Sequence, residues 1–277
     1  MYGRRFSAPS RGYKLRVCRK VKDLYGIINI ALEQNIIGAR RNADGHADKT
    51  ASRRTNMLEL HNINKSYYTS ACRVDVLRDV SLHIGKGEMA AVTGESGSGK
   101  STLMNILGCL DTPDSGTYIL NGKNTRLLSE KARAQIRNRE IGFVFQGFNL
   151  IPALTAEENV ELPLIYRSLP PAEVRRLSQN ALRAVGLSHR MNHKPHELSG
   201  GQQQRTAIAR AIAAKPPIIL ADEPTGNLDS QSGEVVLQML KRLNELGRTV
   251  VLITHDSRVA ASAQRQIVIA DGRQVYP

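Results

Sequence analysis

A glycine-rich segment restricts the possible folds of this chain more than any other feature. Residues 94–102 read Gly-Glu-Ser-Gly-Ser-Gly-Lys-Ser-Thr, so a glycine is followed by four residues and then by Gly-Lys-Ser. The apolar residues 89–93 before it predict a buried strand, and residues 100–110 after it carry apolar side chains at helical spacing. The glycines are therefore expected to join a strand to a helix N-terminus. There the unpaired N–H groups and the helix dipole favour a bound phosphate.

The spacing also assigns roles within this loop. All of its residues are expected to line the phosphate site: Gly94, Glu95, Ser96, Gly97, Ser98, Gly99, Lys100, Ser101 and Thr102. Lys100 is predicted to reach the β- and γ-phosphates and to act in catalysis, and the Ser101 hydroxyl is predicted to hold Mg²⁺. A triphosphate is the ligand that this pattern favours.

A second apolar segment ends in two acidic residues. Residues 217–221 are apolar with β-branched character, which is typical of a central strand, and Asp222 and Glu223 follow directly. Ligands bind at this edge of a parallel sheet. We expect Asp222 to support Mg²⁺ through its water shell and Glu223 to polarise the attacking water.

A second glycine-rich segment lies further along the chain. Residues 198–205 read Leu-Ser-Gly-Gly-Gln-Gln-Gln-Arg, and Ser199 is predicted to begin another helix with an apolar buried face. Its N-terminus is also suited to phosphate. If this helix sits on a separate helical lobe, one chain cannot aim both termini at one nucleotide.

Together these segments resemble the motifs of the ATP-binding cassette (ABC) family. Walker A lies at 94–102, the signature at 198–205 and Walker B at 218–223. The resemblance implies a P-loop ATPase of α/β class, and it extends over residues 57–277.

Single residues match further family motifs in the same order along the chain. Gln146 matches the Q-loop glutamine, which has a catalytic role and contacts the metal, and His255 matches the catalytic switch histidine. Tyr67 matches the aromatic residue that stacks on adenine, with the adjacent Tyr68 as the alternative. In the family two cassettes meet head to tail. Resemblance thus implies that Ser199, Gly201 and Gln202 of one subunit contact the nucleotide bound by the other, with Asp229 of the D-loop at the junction.

Further segments narrow the resemblance to one group within the family. Residues 108–111, 115–118, 154–160 and 221–230 are similar to the ATPases of the macrolide-exporter (MacB) and lipoprotein-release (LolD) group, which also contains the cell-division ATPase FtsE. This similarity implies an ATPase on the cytoplasmic face of a bacterial inner membrane that drives a separate integral membrane permease in export or efflux. A periplasmic adaptor reached through the permease is a further implied partner, and a cell-division role is the alternative.

The architecture expected from these patterns has three parts. The Walker strands and their helices form an α/β core, residues 58–92 form an antiparallel β subdomain of short strands, and residues 147–200 form a helical subdomain. Within the last part, a helix is predicted to begin at Pro170-Pro171 and to end before Gly186.

The N-terminal segment 1–56 differs from the rest in charge. It has a net charge of +9, whereas residues 57–277 have +5, so most of the formal +14 belongs to this extension. An anionic lipid, a nucleic acid or a targeting receptor could attract such a segment. We expect instead a disordered tail or a non-native start, with Met57 as the physiological first residue, and no specific nucleic-acid partner. ABC ATPases of DNA repair or translation are disfavoured because their long coiled-coil inserts or second cassette are missing.

Overall fold

The computed structural model describes residues 56–68 and 72–275. Almost all of the basic extension at 1–56, and the expectations for it, lie outside the described residues. The strands are Asn56–Tyr68 (β1), Arg73–Gly85 (β2), Met89–Thr93 (β3), Ser115–Leu120 (β4), Lys123–Asn124 (β5), Ile141–Val144 (β6), Ile218–Asp222 (β7), Thr249–Ile253 (β8), Arg265–Ala270 (β9) and Arg273–Val275 (β10). The α-helices are Lys100–Leu107 (α1), Glu130–Glu140 (α2), Ala156–Ile165 (α3), Pro171–Ala184 (α4), Gly200–Ala213 (α5), Ser230–Glu245 (α6) and Ser257–Ala260 (α7), with 3₁₀ turns at Thr125–Leu127, Ser188–Arg190 and Pro195–Glu197.

A mainly parallel sheet forms the centre of the molecule. Its strand order is β10-β9-β3-β8-β7-β6, in which β9, β3, β8, β7 and β6 are parallel and β10 is antiparallel to β9. Every residue of β8 is buried, and so are the first four of β3 and of β7. Such continuous apolar runs are typical of strands covered on both faces. The predicted α/β P-loop class is confirmed.

An antiparallel sheet with the order β2-β1-β4-β5 packs beside this core. The prediction of short strands over 58–92 is wrong in detail. The segment contains two 13-residue strands with register shifts between them, and its last part, β3, belongs to the parallel sheet. The reason is that β3 is apolar without alternation and is buried on both faces, whereas β1 mixes buried and exposed positions.

The first helix is shorter than the apolar spacing predicted. It ends at Leu107, and Cys109 then takes a left-handed backbone conformation with φ of 52°. Leu110, predicted to lie on the apolar face of the helix, is 48% exposed. The backbone N–H of Leu110 donates to the carbonyl of Asn105 at 2.8 Å, so the chain turns away from the helix axis.

Helices α3 and α4 occupy the segment in which the helical subdomain was predicted. Thr155 and Glu158 form a capping box that begins α3, and Pro170 precedes α4, whose Val174, Ala181 and Leu182 are buried. Both helices pack on α5. The limits of 147 and 200 for this subdomain stay a prediction.

Two groups of buried side chains cover the two faces of the central sheet. Met89 and Ala91 of β3 pack with helices α3 to α6, whereas Ala90 and Val92 pack with α1 and the antiparallel sheet. The carboxyl ends of β3, β7 and β8 are thereby held at one edge, where the loops with the motif residues begin. Within residues 56–68 and 72–275, no helix has the length and apolarity needed to cross a membrane.

Candidate nucleotide-binding site

The glycine-rich loop leads from β3 into α1 and leaves the start of that helix uncapped. Gly94 and Gly99 have φ of 150° and 103°, and a Cβ on them would lie 2.0 Å from the carbonyl oxygen of Ile269 and 2.8 Å from that of Val76. Only glycine fits these two positions. Gly99 provides no side-chain hydrogen bond to the helix N-terminus. The first N–H groups of α1 are thus suited to a phosphate ligand.

Lys100 folds back over this loop. Its side chain is largely buried, and Nζ donates to the carbonyl oxygens of Gly94 at 2.8 Å and Glu95 at 2.6 Å. The Oγ of Ser98 is buried and has no hydrogen-bond partner within the part of the chain that the structure describes. A buried hydroxyl of this kind is normally satisfied by a ligand or water. The donor set of the loop therefore fits a bound polyphosphate.

The two acidic residues follow β7 and meet the end of β8. Glu223 has a left-handed backbone conformation with φ of 41°, and its N–H donates to the carbonyl of Ile253 at 2.8 Å. Its Oε1 accepts from the backbone N–H of His255 at 2.9 Å and lies 2.6 Å from Nδ1 of that histidine. Its Oε2 accepts from the Thr254 hydroxyl at 2.9 Å. Both carboxylate oxygens of Glu223 are therefore fixed in direction by the segment after β8.

Asp222 feels the charges of both Glu223 and the loop lysine, Lys100. Burial raises the pKa of its carboxyl group, the charge of Glu223 raises it further, and Lys100 opposes the shift. The ionised carboxylate is thus in an unfavourable environment that a cation would improve. Carboxylate, hydroxyl and amide oxygens are the ligands that Mg²⁺ prefers. Across residues 56–68 and 72–275, no group of three or more His, Cys, Asp or Glu residues could hold a metal ion.

Gln146 follows β6 and lies against the turn after the acidic pair. Its Nε2 donates to Oδ1 of Asn227 at 3.3 Å, and Nδ2 of Asn227 donates to the Gln146 carbonyl at 3.0 Å. A Cβ on Gly226 would lie 2.8 Å from Nε2 of Gln146. Gln146 is therefore close to the segment that carries Glu223.

Sequence analysis missed an arginine that holds the segment after Gln146. Arg210 of α5 donates to the carbonyl oxygens of Phe148, at 2.9 Å, and Asn149. Both carbonyls belong to residues with positive φ. Burial lowers the pKa of the Arg210 guanidinium. The signal that could have drawn attention to it is its position as the one charged residue in the otherwise apolar run 207–214.

Tyr67 lies at the end of β1 and faces the phosphate-loop helix. Its hydroxyl donates to Oδ2 of Asp111 at 2.8 Å and also interacts with Thr102 of α1. Its side chain is 39% exposed, whereas Tyr68 is 77% exposed. The structure therefore places Tyr67, rather than Tyr68, against the loop. The contact between Asp111 and Tyr67 was not predicted, because the turn that carries Asp111 follows a helix that was expected to be longer.

The second glycine-rich segment forms a separate group with the D-loop aspartate. Ser199 Oγ accepts from the N–H of Gln202 at 3.3 Å, and Oε1 of Gln202 accepts from the N–H of Ser199 at 3.0 Å. A Cβ on Gly201 would lie 2.6 Å from Oγ of Ser232, whose N–H donates to Asp229 at 2.9 Å. The predicted site residues thus fall into two groups. Lys100 acts on Asp222 of the acidic pair through its charge, and Gly201 of the second glycine-rich segment packs on Ser232, which bonds to Asp229.

Comparison with protein families matches residues 77–226 to the ABC transporter family. An uncharacterised ABC transporter ATP-binding protein of Thermotoga maritima is 48% identical over 217 residues, which are 78% of this chain and 93% of that protein. The uncharacterised ABC transporter ATP-binding protein YknY of Bacillus subtilis is 49% identical over 79% of this chain and 95% of its own length. The macrolide export ATP-binding/permease protein MacB of Brucella melitensis is 51% identical over 78% of this chain but only 34% of its own length.

Solved structures of similar fold include the ATP-binding cassette MJ0796. Its dimeric structure in a post-hydrolysis state with ADP and Pi has a TM-score of 0.74 and 48% identity, covering 79% of this chain and 97% of that one. The structure of cbiO1 from Clostridium perfringens, part of the ABC transporter complex cbiONQ, has a TM-score of 0.71 at 29% identity, covering 80% of this chain and 87% of that one.

Proposed function

This chain belongs to the ABC transporter ATP-binding family and is an ATPase, and on that premise we propose that it works as one of two paired cassettes that drive an integral membrane permease. The observation that carries the proposal is the division of the motif residues into two groups. One group, around Lys100 and Glu223, has the parts for holding and hydrolysing a nucleotide. The other, around Ser199, has a glycine-rich helix N-terminus that no residue of the first group contacts in the hydrogen bonds described above.

The nucleotide is held at the first group. Residues 94–102 bind the phosphates through backbone N–H groups and Lys100, and Tyr67 provides a surface for the adenine ring. Ser101, Gln146 and Asp222 hold Mg²⁺, which supplies positive charge to the β- and γ-phosphates. The raised pKa of Asp222 is in accord with this role because the carboxylate needs a cation.

Hydrolysis depends on positioning rather than on covalent chemistry by the protein. Glu223 accepts a hydrogen bond from the attacking water, and Thr254 and His255 fix the direction of its carboxylate. The side chain of His255 is 72% exposed, so its ring can also contact the γ-phosphate. Lys100 neutralises charge on the same phosphate.

The second group acts on a nucleotide bound by another copy. Ser199, Gly201 and Gln202 contact the γ-phosphate held by the partner subunit, and Asp229 lies at the junction. The dimeric structures of the similar cassette MJ0796 support this arrangement. Closure on ATP and opening after hydrolysis provide the motion, which passes through Gln146 and the helices α3 and α4.

Export or efflux of a macrolide, lipoprotein or peptide is the transport role that we assign. The support is the 51% identity to MacB of Brucella melitensis, a macrolide export ATP-binding/permease protein. The chain spans 34% of the length of that relative. A separate permease subunit is part of the proposal, supported by two relatives that are named ATP-binding proteins and are matched over 93% and 95% of their length. The ATPase then sits at the cytoplasmic face of a bacterial inner membrane, and a periplasmic adaptor is reached through the permease.

The substitution Glu223→Gln tests the catalytic assignment and the pairing together. It keeps the shape of the side chain but removes the charge that polarises water, so we expect ATP binding to persist while steady-state hydrolysis falls by about 100-fold or more. The variant should accumulate as an ATP-bound dimer in analytical ultracentrifugation, and ADP should not support that dimer.

Glu234→Gln is the matched control because Glu234 is an exposed glutamate of α6 whose carboxylate accepts a hydrogen bond from Gln238, one turn further along the same helix. It should hydrolyse ATP at the rate of the unchanged protein and should not accumulate as a dimer. Normal turnover by Glu223→Gln would remove Glu223 from the mechanism. Loss of turnover with a monomer under ATP would instead contradict the pairing.

A further inference from the structure

The turn after α1 brings a carboxylate to the edge of the proposed adenine site. Leu110 and Asp111 both donate their backbone N–H groups to the carbonyl of Asn105, at 2.8 and 3.1 Å. These two hydrogen bonds to a carbonyl in the last turn of α1 fix the position of Asp111 relative to the phosphate-loop helix. Asp111 belongs to the segment 108–111 that resembles the MacB/LolD group, but that resemblance assigns no role to the residue.

Asp111 accepts hydrogen bonds from two side chains of β1 and from the backbone of the residue that follows it. Its Oδ1 accepts from Lys65 Nζ at 2.8 Å and from the N–H of Thr112 at 2.7 Å. Its Oδ2 accepts from the Tyr67 hydroxyl at 2.8 Å. Both carboxylate oxygens therefore accept hydrogen bonds, Oδ1 from the lysine and Oδ2 from the tyrosine.

Lys65 completes this arrangement from β1. The residue is 8% exposed, and its Nζ also donates to the carbonyl of Thr112 at 2.8 Å and lies 5.2 Å from the centre of the Tyr67 ring. Asp114 is a second acidic neighbour at 3.7 Å. The lysine thus holds Asp111 in place and at the same time contacts the face of Tyr67.

The protonation states agree with these bonds. Burial alone would raise the pKa of Asp111, but hydrogen bonds from Lys65, Tyr67 and the Thr112 backbone outweigh it and lower that pKa. Burial and the hydrogen bond to Asp111 raise the pKa of Tyr67. At neutral pH the pair is therefore a carboxylate acceptor and a phenol donor.

We propose that Asp111 is a positioning residue that fixes the Tyr67 ring relative to α1, so that the surface for the base is set in register with the phosphate loop before the nucleotide arrives. The inference rests on the proposed role of Tyr67 as the adenine contact. A ring that is more than a third exposed has rotamer freedom to lose when a base stacks on it. The bond to Asp111 removes that freedom in advance.

The test compares ADP with inorganic pyrophosphate, both with Mg²⁺, in titration calorimetry on the full chain. Both ligands use the phosphate loop, but only ADP carries a base. Asp111→Ala should weaken ADP binding about 3- to 10-fold, the usual effect of freeing one ordered side chain, and leave pyrophosphate binding within about twofold. A role in loop structure alone would weaken both ligands equally, and that result would overturn the proposal.

Tyr67→Phe removes the same hydrogen bond and leaves the Asp111–Lys65 contact in place, so it serves if Asp111→Ala does not fold. It should weaken ADP in the same selective way, and the double variant should be no weaker than Asp111→Ala alone. Tyr68→Phe, at the exposed neighbouring tyrosine, should bind both ligands normally.

Tyr67→Ala tests the proposed adenine contact separately from the positioning role of Asp111. If it leaves the preference for ADP over pyrophosphate unchanged, the proposed adenine contact is wrong and this inference falls with it. If it removes the preference while Asp111→Ala and Tyr67→Phe do not, the adenine contact stands and only the positioning role of Asp111 is refuted.

Discussion

The two glycine-rich helix N-termini of this molecule differ in whether side chains cap their backbone N–H groups. Helix α1 begins after Gly99, which has a left-handed backbone and gives no side-chain cap. Helix α5 begins after Ser199, whose hydroxyl and whose N–H both bond to Gln202 in a capping box. A lysine lies over the first terminus, whereas no basic residue lies within residues 199–204.

The difference indicates an order of binding. The first terminus has uncapped N–H groups and a positive charge, so one chain can bind a phosphate there without rearrangement. The second terminus satisfies part of its own hydrogen bonding, and a cap of this kind contributes about 0.5–2 kcal/mol. A ligand must compete with that cap. In the proposed pairing, a charged phosphate brought by a partner subunit would provide such competition, since hydrogen bonds to charged groups are stronger than neutral ones.

The largest expected effect comes from removing the lysine of the first terminus. Lys100→Ala should weaken ADP binding to a single copy by at least about 30-fold, because a largely buried charged partner of the phosphates is lost. Ser199→Ala, at the second terminus, should leave that binding within about twofold and destabilise the fold by about 1 kcal/mol. Titration calorimetry and thermal unfolding without ligand measure the two effects. Equal losses of ADP affinity would show that both termini act on one nucleotide in one chain.

A smaller effect is expected where the second terminus packs on α6. A Cβ added to Gly201 would lie 2.6 Å from Oγ and 2.9 Å from Cβ of Ser232, so Gly201→Ala should destabilise the protein by about 1–3 kcal/mol. Gly200→Ala is the matched control, since its nearest neighbours would be 3.7 Å away. Alanine in a helix is favoured over glycine by up to about 1 kcal/mol, so this variant should be as stable as the parent or more so. Urea unfolding distinguishes them, and equal stabilities would contradict the close packing of Gly201.

The same comparison shows how much could be predicted from sequence. The phosphate loop, the strands β3 and β7 and the start of α5 at Ser199 followed from spacing and apolar runs, which are local features. The end of α1 could not be predicted in this way. The carbonyl of Asn105 accepts hydrogen bonds from the N–H groups of Leu110 and Asp111, which form a turn where the helix was expected to continue. That turn is compatible with the same apolar spacing.

Contacts between distant residues account for the remaining gaps. Arg210 bonds to carbonyls 61 and 62 positions away, and Asp111 bonds to Tyr67 across 44 positions. No periodicity or spacing rule covers such pairs, because the packing of separate elements decides them. The motifs identified the candidate site residues from the sequence, but the residues that orient them could be identified only from the fold.

The smallest effect concerns one carboxylate beside each terminus, and its sign should differ between them. Burial and Glu223 raise the pKa of Asp222 beside Lys100, whereas hydrogen bonds from Ser232 and Gln231 lower the pKa of Asp229. The ionised Asp222 therefore costs stability, fully so above its raised pKa and not at all below the ordinary aspartate value of about 3.9. The ionised Asp229 adds stability above about 3.9 and loses it as the pH falls through its lowered pKa.

Thermal unfolding without nucleotide or Mg²⁺, as a function of pH, tests both signs. At pH 7.5 we expect Asp222→Asn to unfold at a higher temperature than the parent protein and Asp229→Asn at a lower one. Asparagine retains an oxygen that can cap α6, so the second variant loses mainly the charge. Both differences should shrink towards zero in acid, that of Asp222→Asn by the ordinary aspartate pKa and that of Asp229→Asn only below it. If Asp222→Asn were less stable than the parent at pH 7.5, the carboxylate would be stabilising the loop lysine, and the first terminus would be held together by its own ion pair instead of being prepared for a metal and a phosphate.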